Sequence, residues 1–200
     1  MTEPVPLGEP FDQAFALASK LHRKQERKGS KVPYISHLMG VTALVLEAGG
    51  DEEEAIAGLL HDALEDCAED ISGEDLEEQF GPRVRELVEA CTDTPLDFEG
   101  GRKPDWKARK DAYIARIASG EMSLRVSLAD KVHNVRCLLR DHRLEGEAVW
   151  DRFSPAKDET LWYYRALAVA YREGKAVGFL IEELERTVDE IETRASQARE

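Results

Sequence analysis

The sequence predicts an all-α chain, and three observations carry that expectation. Apolar residues recur at helical spacing in nearly every segment. No sustained alternating run of β-branched residues offers a strand. Glycine, proline and capping residues fall at the ends of the apolar stripes, where helices start and stop. Phe11, Ala14, Phe15, Ala18 and Leu21 form a first stripe, opened by Pro10, whose missing N–H a first helical turn tolerates. Leu38, Val41, Leu44 and Val45 form a second, closed by Gly49-Gly50. Asp51 is placed to cap a third helix that buries Ala55, Ile56, Leu59 and Leu60. Ser72-Gly73-Glu74-Asp75 reads as a capping box ahead of Leu76 and Phe80, and Gly81-Pro82 restarts the chain toward Val84, Leu87 and Val88. Residues 92–104, with Pro95, Gly100, Gly101 and Pro104, read as a loop over a site.

Helical periodicity resumes over 106–117, turns at Ser119-Gly120, and continues over 123–139. Ser154-Pro155 precedes a helix with Leu161, Tyr164, Ala168 and Tyr171 on one face. A last helix, from about Ala176, buries Val177, Leu180, Ile181, Leu184, Val188 and Ile191. No repeat, low-complexity tract or linker divides the chain, so residues 1–200 are expected to form one domain.

Composition narrows the function. A net charge of −14 argues against broad nucleic-acid binding, which depends on neutralising phosphates, but leaves room for a small phosphorylated substrate held by a local cation cluster. No apolar run reaches the ~20 residues of a membrane helix, and residues 1–10 lack the pattern of a secretory signal. Cys67, Cys91 and Cys137 are unpaired by any C-x-x-C spacing, which suits a reducing cytoplasm.

The chemistry concentrates in Leu59-Leu60-His61-Asp62-Ala63-Leu64-Glu65-Asp66, where an apolar helix pattern gives way to ionisable groups. Burial of such groups requires a metal or a hydrogen-bond network. His37 and Asp130 are further candidate ligands, Asp130 because it interrupts the apolar face of its helix. Two other readings stay open: a histidine satisfied by backbone near a helix start, and an aspartate paired with Lys131 or Arg136. Glu65 and Asp66 follow His61 and Asp62 by four positions, which on a continuous helix places each one turn above a ligand.

The ordered set His37…His61-Asp62…Asp130, with Leu-Leu-His-Asp-Ala-Leu-Glu-Asp and Leu-Ala-Asp-Lys-Val-His-Asn-Val-Arg, resembles the HD-domain metal phosphohydrolases. More narrowly it is similar to the hydrolase domain of the RelA/SpoT family and its small stand-alone relatives. The resemblance covers about 11–140, the expected core, and only loosely the C-terminal helices at about 155–198. It implies a helical bundle with one divalent cation in its core, usually manganese, held by His37, His61, Asp62 and Asp130. It implies Glu65 and Asp66 as the catalytic carboxylates. His22, Gln25, Arg27 and Lys28 match its H-x-x-Q-x-R-K pattern, which implies that Arg27 and Lys28 hold the nucleotide. By similar placement Lys110 is a candidate for phosphate contact and Asn134 for the sugar or base. Arg136 could brace Asp130 or Glu65, and Trp162, Tyr163 and Tyr164 could stack on a purine or belong to the core. His133 departs from the tyrosine that near relatives often carry, and the loop at 92–104 has its own sequence.

The expected function is a metal-dependent nucleotide pyrophosphohydrolase that removes the 3′-diphosphate of guanosine 3′,5′-bis(diphosphate) through a metal-activated water. Without a synthetase, TGS or ACT-like segment, the chain is expected to hydrolyse without synthesising. The alternatives are a phosphohydrolase of other nucleotide scope, such as a nucleotidase or NADPH phosphatase, and a nucleotide-binding sensor that keeps the metal fold.

Overall fold

A computed structural model describes residues 6–93 and 105–197, and its elements are helical throughout, apart from one isolated antiparallel bridge between Glu26 and Pro33. The loop expected over 92–104 lies, beyond Asp93, outside the described residues.

The first helix, α1 (Glu9–Leu21), starts with Pro10 in its first turn and buries only Ala14 and Ala18. Phe15 is 39% exposed rather than part of the stripe. The small alanines let α1 approach the helix that begins at Glu52 closely, and Phe15, about 100° round from Ala14, falls outside that seam. Next, α2 (Ile35–Glu47) buries Leu38, Val41, Leu44 and Val45 as expected. The start of α3 (Glu52–Leu60) is a capping box: Asp51 accepts from Glu54 N at 3.0 Å, and Glu54 accepts from Asp51 N at 3.1 Å. Glu54 is buried and also accepts from Arg125, which ties α3 to a segment 71 residues further along the chain.

The short α4 (Ala63–Asp66) follows α3 after a break. The Ser72–Asp75 capping box opens α5 (Gly73–Phe80), and Pro82 opens α6 (Pro82–Cys91). Asp105 caps α7 (Trp106–Ser119), which ends at Gly120 in the left-handed region, φ 68°. Then α8 (Arg125–Glu145) runs further than the expected 123–139, because His142 is buried as well. It packs on α2, α3 and α6, and also on α9 (Lys157–Glu173) and α10 (Phe179–Gln197), so one helix spans the core. A 3-10 segment, Gly146–Arg152, buries Val149 and Trp150 against its end.

Two expectations at the C-terminal end are corrected. The last helix starts at Phe179 rather than near Ala176, after Gly178 at φ 89°, and Val177 is 84% exposed rather than buried. In α9, Tyr171 and Ala168 are buried, but Tyr163 takes the core position while Leu161 and Tyr164 are half-buried.

Candidate metal centre

His37 enters the core in the first turn of α2, its backbone N–H donating to Tyr34 O at 2.8 Å, and its side chain is fully buried. His61 ends α3, and Asp62 follows at φ −97°, ψ −2° as the residue before α4. Asp130 projects from the middle of α8 between buried Ala129 and Val132. These segments converge. His37 Nε2 lies 3.6 Å from Asp62 Oδ2 and 3.2 Å from Asp130 Oδ1. His61 Nε2 lies 3.0 Å from Asp62 Oδ2 and 3.6 Å from Asp130 Oδ1. Donor atoms of His37, His61 and Asp62 all fall within 4.8 Å of one another.

Despite these short separations, both Nε2 atoms are buried without a hydrogen bond. Buried ring nitrogens are normally satisfied, so the two rings and the carboxylates point at a shared space rather than at each other. His61 Nδ1 lies 2.9 Å from Gly58 O, an acceptor only, so this nitrogen carries a hydrogen and Nε2 is the ring atom left to face the site. Two imidazoles with carboxylate oxygens, and no thiolate, form a donor set that fits a divalent cation with room for further oxygen ligands.

The charges are mutually compensating. Burial lowers the His61 pKa, but the adjacent Asp62 carboxylate outweighs it and, with Asp130, raises it to about 10. Burial pushes Asp62 up, and the charge of His61, with both imidazole Nε2 atoms close to Oδ2, overcomes it to hold the carboxyl far below its usual range. Tyr34 also donates to Asp62 Oδ2 at 2.6 Å. Asp130 is held well below its ordinary value against burial, chiefly by Lys131, whose Nζ lies 2.6 Å from Oδ2. The two readings of Asp130 are therefore compatible: Oδ2 pairs with Lys131, while Oδ1 faces the histidines and accepts from Asn134. Arg136 takes no part; it pairs with Glu183 of α10 at 2.9 Å.

Glu65 and Asp66 do not extend α3. The helix breaks at His61-Asp62, so the four-residue spacing does not place them one turn above the ligands as expected. They stand instead as exposed side chains of α4. Asp66 accepts from Gln25 Nε2 at 2.7 Å, and Glu65 accepts from Thr92 Oγ1 at 3.3 Å.

The segment after α1 that carries Arg27 and Lys28 is not helical. The chain reverses there, with Arg27 N donating to Val32 O at 2.8 Å and Tyr34 N to Gln25 O at 2.9 Å. The turn carries Arg27 to Asn134, whose Oδ1 accepts from Arg27 Nη2 at 2.7 Å. Arg27, Lys28, Tyr34, His133, Asn134 and Tyr164 help to line a cavity of about 560 Å³. Lys110 is turned instead toward Asp93, which it meets at 2.5 Å, and lies 4.7 Å from the Tyr163 ring. Arg140, Arg152 and Phe153 line the same cavity, and sequence reasoning missed them. Arg152 and Phe153 sit at the end of the 3-10 segment, where no periodicity marks a face; Tyr34, three residues before His37, was the one legible omission.

No helix among the described residues is long and apolar enough to cross a membrane. Residues 14–159 match the family model described as HD domain. A probable guanosine-3′,5′-bis(diphosphate) 3′-pyrophosphohydrolase of Synechocystis is 37% identical over 127 residues, 63% of this chain and 16% of that protein. The Xenopus tropicalis enzyme MESH1, a guanosine-3′,5′-bis(diphosphate) 3′-pyrophosphohydrolase, is 37% identical over 131 residues, 64% of this chain and 69% of its own length. The solved structure of a metazoan ortholog of SpoT that hydrolyses ppGpp superposes with a TM-score of 0.72 at 27% identity, covering 93% of this chain and 97% of that one. The lmo0812 protein of Listeria monocytogenes EGD-e gives 0.67 at 27% identity, covering 83% and 98%. With its family match spanning residues 14–159 and its His-Asp cluster at the centre of the bundle, this chain belongs to the HD-domain family.

Proposed function

We propose that the chain hydrolyses guanosine 3′,5′-bis(diphosphate) to guanosine 5′-diphosphate and pyrophosphate, with His37, His61, Asp62 and Asp130 holding one divalent cation, Mn²⁺ by preference. The observation that carries this is a shared wall. Tyr34, His133 and Asn134 bond Asp62, His37 and Asp130 respectively, and the same three side chains line the cationic cavity. A ligand in that cavity therefore lies beside the cluster. The curated relatives and the metazoan structure, which carry this activity in their names, support the same substrate.

A divalent cation at the cluster would acidify a water and neutralise phosphate charge. Around it the chain's own groups divide the work. Arg27 and Lys28 pair with phosphate oxygens, the guanidinium fork of Arg27 being held by Asn134. Glu65 and Asp66 orient the attacking water and accept its proton. The water oxygen bonds to phosphorus as the bond from phosphorus to the 3′-oxygen breaks, and the 3′-oxygen takes up a proton. Gln25 holds Asp66 and Thr92 holds Glu65, so neither carboxylate swings freely.

A panel of nucleotides incubated with Mn²⁺ tests this directly. Guanosine 3′,5′-bis(diphosphate) is expected to yield pyrophosphate; turnover of other nucleotides with this one untouched, or release of orthophosphate alone, refutes the assignment. Cation loading also has a proton signature. His61 in the metal-free chain has its pKa raised to about 10, so near pH 7 it is protonated and must lose that proton to coordinate. Calorimetry in two buffers of different ionisation enthalpy should show about one proton released per Mn²⁺, with affinity rising about tenfold per pH unit below that pKa. A pH-independent affinity would show that no proton leaves His61 when the cation is loaded.

A further inference from the structure

A histidine presents Nε2 to a cation only when its proton sits on Nδ1, and metal-site histidines usually have that proton held by a carbonyl or carboxylate. Gly58 O does this for His61. His37 has a different neighbour. Its Nδ1 lies 2.8 Å from Nδ1 of His133 on α8, with ring centroids 4.7 Å apart and a 55° tilt. Two imidazole nitrogens at that distance share one hydrogen, so one ring donates and the other accepts. With Nε2 of His37 given to the cation, His37 is the donor.

The ring of His133 is seated by an absent side chain. Gly40 lies on α2 one turn beyond His37, and a Cβ built there would stand 2.4 Å from His133 Nε2 and 2.5 Å from Cδ2. Neither ring atom could stay where it is against a methyl group. Gly is a poorer helix former than Ala, so at this position close approach between α2 and α8 outweighs propensity. From the other side Cys137 Sγ lies 3.7 Å from His133 Nδ1.

We propose that His133 is a positioning residue: it accepts the Nδ1 proton of His37, turns the Nε2 lone pair toward the divalent cation, and depends on Gly40 for its seat. This rests on the ligand set proposed above and deepens it. Because His133 also lines the cavity beside Arg27 and Asn134, it joins the substrate side of the site to a ligand on the other helix.

The test measures Mn²⁺ affinity of the full chain from the free-ion electron paramagnetic resonance signal, with no substrate present. His133→Phe, which keeps a ring but has no acceptor, should weaken binding about 10- to 100-fold. His133→Gln, whose amide oxygen can accept, should recover most of that loss. Gly40→Ala should weaken binding in the native background and add little to His133→Phe, since both act through one ring. Native affinity in His133→Phe, alongside loss in His37→Ala, overturns the proposal while leaving the ligand set standing. Native affinity in His37→Ala overturns the ligand set and the proposal together. If His133→Phe does not fold, Gly40→Ala decides, and native Mn²⁺ affinity in that variant overturns the role of His133.

Discussion

Asp130→Asn is expected to abolish Mn²⁺ binding and to lower the melting temperature of the metal-free chain on the order of 10 °C. The reason lies in the neighbours of the carboxylate. Asp130 Oδ2 is 2.6 Å from Lys131 Nζ, and the two side chains are 7% and 14% exposed. Burial alone would push the Lys131 ammonium toward its neutral form, and Asp130 is the principal group that keeps it charged. Removing one member of a buried pair costs about 3–5 kcal/mol, because the remaining charge is stranded. Replacing both members is far less damaging, so Asp130→Asn with Lys131→Met should recover much of the melting temperature while Mn²⁺ binding stays lost. Thermal melts in chelator and a Mn²⁺ titration check both halves. A single variant that melts near the native temperature would show that Lys131 does not depend on this carboxylate. The pH dependence has a definite sign. Asp130 has a depressed pKa, so its contribution is present above the ordinary carboxylate range and is lost as pH falls toward the folded value.

Glu65→Gln and Asp66→Asn should each lower kcat about 10²- to 10⁴-fold, with KM, Mn²⁺ affinity and melting temperature close to native. Both side chains are exposed on α4 and neither supports the core, so stability has little to lose. The neutral analogues keep shape and hydrogen bonding but accept no proton. Steady-state kinetics with pyrophosphate detection measures the split. Wild-type kcat in both variants would take the proton transfer away from this pair, and a native chain that binds nucleotide without turnover would favour the sensor alternative.

Much of the centre was legible in the residues. The spacing His37…His61-Asp62…Asp130 named the groups that converge, because a carboxylate interrupting an apolar helix face has few stable surroundings. The capping boxes at Asp51 and Ser72 were equally local and stand as expected. Direction was less legible. The four-residue spacing from His61 to Glu65 suggested one continuous helix, but α3 ends at Leu60, and no glycine or proline marks the break. The break coincides with the approach of His61 and Asp62 to each other and to His37 and Asp130, contacts that only the folded chain makes. Nor does any feature of the run from His22 to Lys28 announce that the pairing of Glu26 with Pro33 turns the chain back there.

The sequence by itself determined the helical class, the faces that bury, and the residue types gathered at the centre. Those depend on periodicity and on the high cost of unpartnered buried charge, both written in the order of residues. The tertiary structure alone decided how the cations are spent. It sends Arg136 to Glu183 and Lys110 to Asp93, and it brings Arg140 and Arg152 to the cavity beside Arg27 and Lys28. Ion pairs on accessible surfaces are worth only about 0–1 kcal/mol, so many pairings have nearly equal energy along the chain. Packing of α8 against α2, α9 and α10 selects among them.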